Sequence, residues 1–210
     1  MIIIKILLLL LAYLFGSIPF GYVIGKLKGV DIREHGSKNI GATNTGRVLG
    51  KKYAILVFLL DATKGFLLTF LFRFGIIPEE YMLFSPALYG LLAILGHAFS
   101  IFLKFKGGKA VATSGGFIAG YCPWLLLVLL ISFLITTHFS KMVSLGSLVS
   151  TLVALLIVVI LTIIGIDPIL NLNVDIYFLI FSIVAVLIIF VKHRQNMIRI
   201  AKKSESKVNW

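Results

Sequence analysis

The 210-residue sequence predicts an all-α integral membrane protein built as one domain over residues 1–210. Three observations carry that expectation. Hydrophobic residues make up 60% of the chain, against about 45–50% in soluble domains. Mean hydropathy is +1.08. The apolar residues fall into long runs near 2–24, 53–73, 81–103, 111–137, 143–166 and 174–191, each near the roughly 20 residues that a helix needs to cross a bilayer.

Taken in order, the first run opens MIIIKILLLLLAYLFG, with one lysine and no small-x-small cleavage pattern. It reads as a retained span and not as a signal peptide. The second contains LLDATKGF, which puts Asp61 and Lys64 inside a span. Ionisable groups there are costly and are paired or functional. Three residues apart, these two can pair with each other and serve as structural support that holds loop cations near a site. The fourth run, VATSGGFIAGYCPWLLLVLLISFLITT, carries Gly115, Gly116, Gly120 and Pro123, all of which weaken a helix.

The Lys and Arg pattern sets the orientation. Residues 25–52 hold seven, residues 104–109 three and the tail from Lys192 six, whereas 74–80 and 167–175 hold none. Six simple crossings would put the 25–52 loop and the basic tail on opposite sides, against the positive-inside rule. The conflict disappears if run 111–137 enters and leaves on the same side, as two short helices broken near Tyr121-Cys122-Pro123. The expectation is then seven transmembrane helical segments, the N-terminus outside and the C-terminus cytoplasmic. Every unusual polar cluster falls on the cytoplasmic side. One kinked span is the alternative, and it requires the charge bias to fail.

Several function classes drop out. The net charge of +12 would suit nucleic acid, but the basic residues sit between apolar runs, where they report membrane topology. A single cysteine, Cys122, permits no internal disulfide. No Cys/His spacing suits zinc, no Walker A loop is present, and neither metal nor cofactor is expected.

Three clusters carry chemistry. The loop GSKNIGATNTGR contains Ser37, Asn39, Gly41, Thr43, Asn44 and Arg47. Glycines let backbone N–H groups approach an anion, and the Arg fork matches phosphate; the same composition also suits a turn with helix caps. The stretch KFKGGKAVAT contains Lys106, Gly107, Gly108, Lys109 and Thr113 ahead of a helix start, where unpaired N–H groups favour phosphate. Lysines that anchor the interface are the alternative there. In KHRQN, His193 and Asn196 stand three apart on one helix face, or form part of a basic stop-transfer tail. Ser144 and Ser147, in VSLGSLVS, cap the next span or donate to a phosphate. An organic-phosphate transporter and a lipid-binding scaffold are the rival readings; against the transporter, the polar clusters all lie on one face, whereas transport needs a path through the midplane.

Together the segments LFGSIPFGYVIGKLKGVDIREHGSKNIGATNTGRVLGKK, LLDATKG, GHAFSIFLKFKGGKAVAT, VSLGSLV and HRQNMIRI with Glu205 resemble the bacterial acyl-phosphate:glycerol-3-phosphate acyltransferases. The resemblance covers nearly the whole chain. It implies a seven-span protein of the bacterial inner membrane with its active site on the cytoplasmic side. It implies acyl transfer from acyl phosphate to the sn-1 hydroxyl of glycerol 3-phosphate, giving lysophosphatidate and phosphate, the first acylation of phospholipid synthesis. It also implies Ser37, His193 and Asn196 as catalytic residues, Glu205 as a structural partner, and the glycine-rich segment as a glycerol 3-phosphate site. The partners implied are glycerol 3-phosphate, acyl phosphate, membrane lipids and, by function, an acyl-phosphate-forming enzyme. Lys38, Ala110 and Lys203 stand where the family usually has glycine, and Ser206 stands where it has proline. None of the residues five after a histidine (Ile40, Phe102, Val143, Ile198) is Asp, so the H-x-x-x-x-D pattern of acyl-CoA-dependent enzymes is absent.

Overall fold

The computed structural model describes residues 1–170 and 172–208. Ten α-helices account for most of them: α1 (Ile2–Ser17), α2 (Phe20–Leu27), α3 (Ala42–Leu49), α4 (Lys51–Arg73), α5 (Pro86–Ala98), α6 (Val111–Tyr121), α7 (Pro123–Ser140), α8 (Val143–Ile164), α9 (Ile176–Lys192) and α10 (Arg194–Ala201). Among the described residues there is no strand, only an isolated bridge between Ile166 and Asn173.

The helix breaks have local causes. The first run divides at Ile18-Pro19, and α1 and α2 meet at 47°; proline removes a backbone donor and excludes the α conformation before it. The fourth run breaks at Cys122, with Pro123 at the first position of α7, the place proline tolerates best. The break is as expected from the sequence, but the lengths are not. Only α6 is short, at 11 residues, while α7 has 18, enough to cross a bilayer alone. Lys51–Arg73, Pro86–Leu103, Pro123–Ser140 and Val143–Ile164 are long and apolar enough to span, and the bent pairs α1–α2 and α9–α10 raise the number to six.

Close approach of small residues sets the packing of α4 against α6. A Cβ on Gly65 would lie 2.0 Å from the Thr113 carbonyl, and one on Gly116 1.8 Å from that of Ala62. Backbone contact of this kind drives helix association where no water is present to do so. The main buried cluster joins α5, α6, α8 and α9 through Phe117, Tyr121, Phe178, Ile94 and Val158, with Tyr121 stacked on Phe178 at 3.8 Å.

The bundle has two distinct ends. At one, Arg73 of α4 donates to the carbonyls of Tyr121 and Asn173, Ser85 meets Asp175, and Asp167 accepts from Cys122 and Trp124. At the other end lie the loop 36–41, the starts of α3, α6 and α8, and the C-terminal tail, where Val208 N–H donates to the Lys141 carbonyl. Helix α6 thus runs from the second end to the first, and α7 returns.

Candidate active site

A cavity of about 770 Å³ opens at the second end and continues between α6, α7, α8 and α9. Its interior is apolar, lined by Phe117, Ile118, Leu126, Phe133, Val158 and Ala185 among others. Its mouth carries Ser37, Arg47, Lys109, Ser144, His193 and Asn196. Residues from four separate stretches of chain therefore meet in one place. Leu130 and Leu134 of α7 line the cavity and are 39% and 57% exposed, on a helix that the rest of the bundle covers little.

The helix starts around the mouth have no side-chain caps. Gly41, Ala110 and Met142 precede α3, α6 and α8 and supply no capping hydrogen bond. Ala42, Thr43, Val111, Ala112, Val143 and Ser144, the first residues of those helices, line the cavity. Unpaired N–H groups and the positive ends of three helix dipoles make the mouth suited to an anion. Arg47 and Lys109 add formal charge.

One hydrogen-bonded chain organises the tail side of the site. Lys109 Nζ donates to Asn196 Oδ1 at 2.6 Å, Asn196 Nδ2 donates to Glu205 Oε1 at 2.6 Å, and Ser144 Oγ donates to the same oxygen at 2.8 Å. Arg199 Nε reaches Glu205 Oε2 at 2.7 Å. Burial works to raise the Glu205 carboxyl, but the donors Asn196, Ser144 and Arg199 outweigh it and hold the group below the usual range. Burial brings the Lys109 ammonium down from 10.5 to about 8; Glu205 opposes the fall, and Arg199 and Arg47 add to it. His193 falls from 6.5 to about 4, first through burial and then through the Lys109 charge, with the Ile189 carbonyl and Glu205 pulling the other way. The imidazole is therefore neutral near pH 7. Its Nδ1 lies 2.8 Å from the Ile189 carbonyl, which can only accept. The proton sits on Nδ1, and Nε2 keeps its lone pair.

Other sequence candidates sit differently. Asn44 lines the cavity, yet its amide is spent on the loop: Nδ2 donates to the carbonyls of Ile32, His35 and Asn39, and Oδ1 accepts from Ser37 N–H. Asn39 Oδ1 accepts from Gly41 N–H. Lys106, Gly107, Gly108 and Thr113 are not on the cavity. Gly107 and Gly108 donate their N–H groups to the carbonyls of Ala98 and His97, so these glycines allow close packing on the end of α5 and form no anion nest. Lys106 faces a smaller recess with Arg33 and Lys38. Thr113 is buried against α4. Neither serine of α8 caps it: Ser144 turns to Glu205, and Ser147 donates back to the Val143 carbonyl at 2.9 Å.

Asp61 and Lys64 do pair, at 2.6 Å. The further partner of Asp61 is His97, at 3.5 Å, and not a loop cation. His97, which stands in the GHAF stretch ahead of KFKGGKAVAT but to which the sequence assigns no site role, lines the cavity. The only available signal was a lone histidine at the end of an apolar run. Lys38, Ala110 and Lys203, the three positions where glycine is usual, all have positive φ (58°, 61° and 56°).

A cationic, N–H-rich mouth joined to an apolar interior is suited to an anionic group attached to or beside an apolar chain. Residues 6–203 match the family model described as glycerol-3-phosphate acyltransferase. The chain belongs to that family, and it is an integral membrane enzyme of that class. It is 42% identical over 210 residues to the glycerol-3-phosphate acyltransferase of Streptococcus pneumoniae (strain Taiwan19F-14), covering 99% of this chain and 94% of that one. It is 43% identical to that of Geobacillus kaustophilus, covering 97% and 96%. The crystal structure of PlsY (YgiH), an integral membrane glycerol 3-phosphate acyltransferase, in its glycerol 3-phosphate form superposes with a TM-score of 0.83 at 38% identity, covering 98% of this chain and 96% of that chain. Its lysophosphatidic acid form superposes with 0.81.

Proposed function

We propose that the protein transfers a fatty acyl group from acyl phosphate to the sn-1 hydroxyl of glycerol 3-phosphate, releasing 1-acylglycerol 3-phosphate and inorganic phosphate. The observation that carries this reading is one cavity with a cationic mouth and an apolar interior walled by the little-covered α7. A water-soluble dianion and a bilayer-anchored acyl donor can meet only in such a place. The structural relative's glycerol 3-phosphate and lysophosphatidic acid forms support glycerol 3-phosphate as acceptor and its acylated product.

Lys109 and Arg47, with the uncapped starts of α3 and α6, receive phosphate. Ser144 and Asn196 position Lys109 and the glycerol. Ser37 and Thr43 donate hydroxyls at the mouth. The glycerol hydroxyl attacks the acyl carbon, the bond from that carbon to the phosphate oxygen breaks, and phosphate departs already stabilised. Acyl phosphate is an activated donor, so orientation and electrostatic stabilisation supply most of the acceleration. His193 Nε2 orients the hydroxyl by accepting its hydrogen bond. A group brought down to about 4 is a weak base at neutral pH, which favours an oxygen of the departing phosphate as the proton acceptor. The same reading places seven helical segments across the bacterial inner membrane, with the N-terminus outside and the cavity mouth facing the cytoplasm. The charge bias and the return of α7 to the mouth end support it.

The test is phosphate release by purified protein from palmitoyl phosphate, with and without glycerol 3-phosphate, beside a palmitoyl-CoA control. Release that depends on glycerol 3-phosphate, with lysophosphatidate formed and no CoA-dependent product, is expected. Lysophosphatidate formed from palmitoyl-CoA alone would overturn the donor assignment.

A further inference from the structure

The buried group that this chemistry leaves unused is His97. It closes α5, is 5% exposed and lines the cavity. On one side its Nδ1 lies 3.5 Å from Asp61 Oδ1 and 3.4 Å from Lys64 Nζ. Lys64 in turn binds Asp61, donates to the Ile18 carbonyl at the α1–α2 break and lies 4.7 Å over the Phe20 ring. The imidazole is thus fixed from α4 and from the end of α1. Three ionisable side chains inside an apolar bundle are costly to bury, and an apolar side chain would fill the same volume without that cost.

On its other side His97 touches the chain that delivers Lys109. Its carbonyl accepts from Gly108 N–H at 3.0 Å, and the Ala98 carbonyl accepts from Gly107 N–H at 3.2 Å. A Cβ on Gly108 would lie 2.2 Å from His97 Nε2, so the ring rests against the backbone one residue before Lys109. Lys109 is therefore held twice, by Asn196 at its ammonium and by His97 beneath its backbone. We infer that His97, fixed by Asp61 and Lys64, is a positioning residue that sets where the Lys109 ammonium meets the phosphate of glycerol 3-phosphate. This rests on the reading of Lys109 as a phosphate ligand. A displacement of about 1 Å in such a group is enough to lose most of its effect.

A double-mutant cycle separates positioning from general packing. Glycerol 3-phosphate affinity is measured by titration calorimetry on purified protein for His97→Ala, Lys109→Ala and the double variant. His97→Ala is expected to weaken binding about tenfold in the parent and less than about twofold when Lys109 is already gone, because contacting residues are not additive. Equal losses in both backgrounds would overturn the inference, as would no loss in the parent. If Lys109→Ala alone leaves affinity unchanged, the phosphate reading itself has failed and this inference falls with it. Should His97→Ala not fold, His97→Asn, which keeps a polar group toward Asp61 but withdraws the ring from Gly108, is read in the same cycle with the same expectations.

Discussion

The helices that start at the two ends of the bundle are finished in different ways. Away from the cavity, α5 begins under Ser85, whose hydroxyl accepts from Ala87 N–H, and α9 begins under Asp175, whose carboxylate accepts from Phe178 N–H. At the cavity, α3, α6 and α8 begin with Gly41, Ala110 and Met142 and have no such bond. The cations differ in the same sense. Arg73, at the far end, donates to two carbonyls and stacks on Tyr121 at 4.2 Å. Among the described residues, no acidic group lies within salt-bridge distance of Lys38, Arg47, Lys106 or Lys109. The far end caps α5 and α9 with side chains, although α7 starts there without one and Arg73 Nη2 has no partner among the described residues; the cavity end leaves α3, α6 and α8 all uncapped.

The largest expected effect tests that contrast directly. Lys109→Ala and Arg47→Ala should each lower kcat/KM for glycerol 3-phosphate by about 10²–10³-fold, the usual cost of removing a preorganised donor. Arg73→Ala should leave steady-state kinetics unchanged while lowering the thermal midpoint.

A pH profile sharpens the comparison further. Lys109 carries charge below about 8 and loses it above, so kcat/KM for glycerol 3-phosphate should fall as pH rises through that value. Glu205→Gln removes the charge that supports protonation of Lys109. It should move the alkaline limb to lower pH; an unmoved limb would detach it from Lys109. His193 acts on stability instead. Its folded value of about 4 lies below the ordinary 6.5, so stability is complete above 6.5 and is lost as pH falls toward 4. Thermal midpoints measured across that range check this, and His193→Gln should flatten the dependence.

Removing the far-end caps comes next. Ser85→Ala and Asp175→Ala should each cost about 0.5–2 kcal/mol in denaturant titration with no change in KM. The smallest effect is a gain. Lys38→Gly and Lys203→Gly relieve left-handed backbone at φ 58° and 56° and should each raise stability by up to about 1 kcal/mol. Ala110→Gly should gain less, because Ala110 is 1% exposed and its methyl is part of the core.

The reach of the sequence follows from the range of the forces involved. Apolar runs and prolines act locally, so the helical bundle and the break before Pro123 could be read directly. So could the pairing of Asp61 with Lys64, which needs only helical spacing. The links between Ser144 and Glu205, 61 residues apart, and between Lys109 and Asn196, 87 apart, have no local signature. The glycines of the KGGK stretch were misread for a related reason. Close packing on His97 and cradling an anion call for the same residue. The missing caps could not be read either: the Thr- and Asn-rich loop and Ser144 suit helix caps in sequence, and only the fold puts Gly41, Ala110 and Met142 at those positions around one cavity.

The apolar wall that Leu130 and Leu134 give the cavity has a kinetic consequence. On the proposed reading, the enzyme samples one reactant by its molarity in water and the other by its crowding in a two-dimensional sheet. Adding detergent or inert lipid at fixed amounts of both reactants should thin out the acyl donor without touching glycerol 3-phosphate. Turnover would then follow the surface mole fraction of one reactant and the bulk concentration of the other, so a rate law written in a single concentration unit cannot describe it.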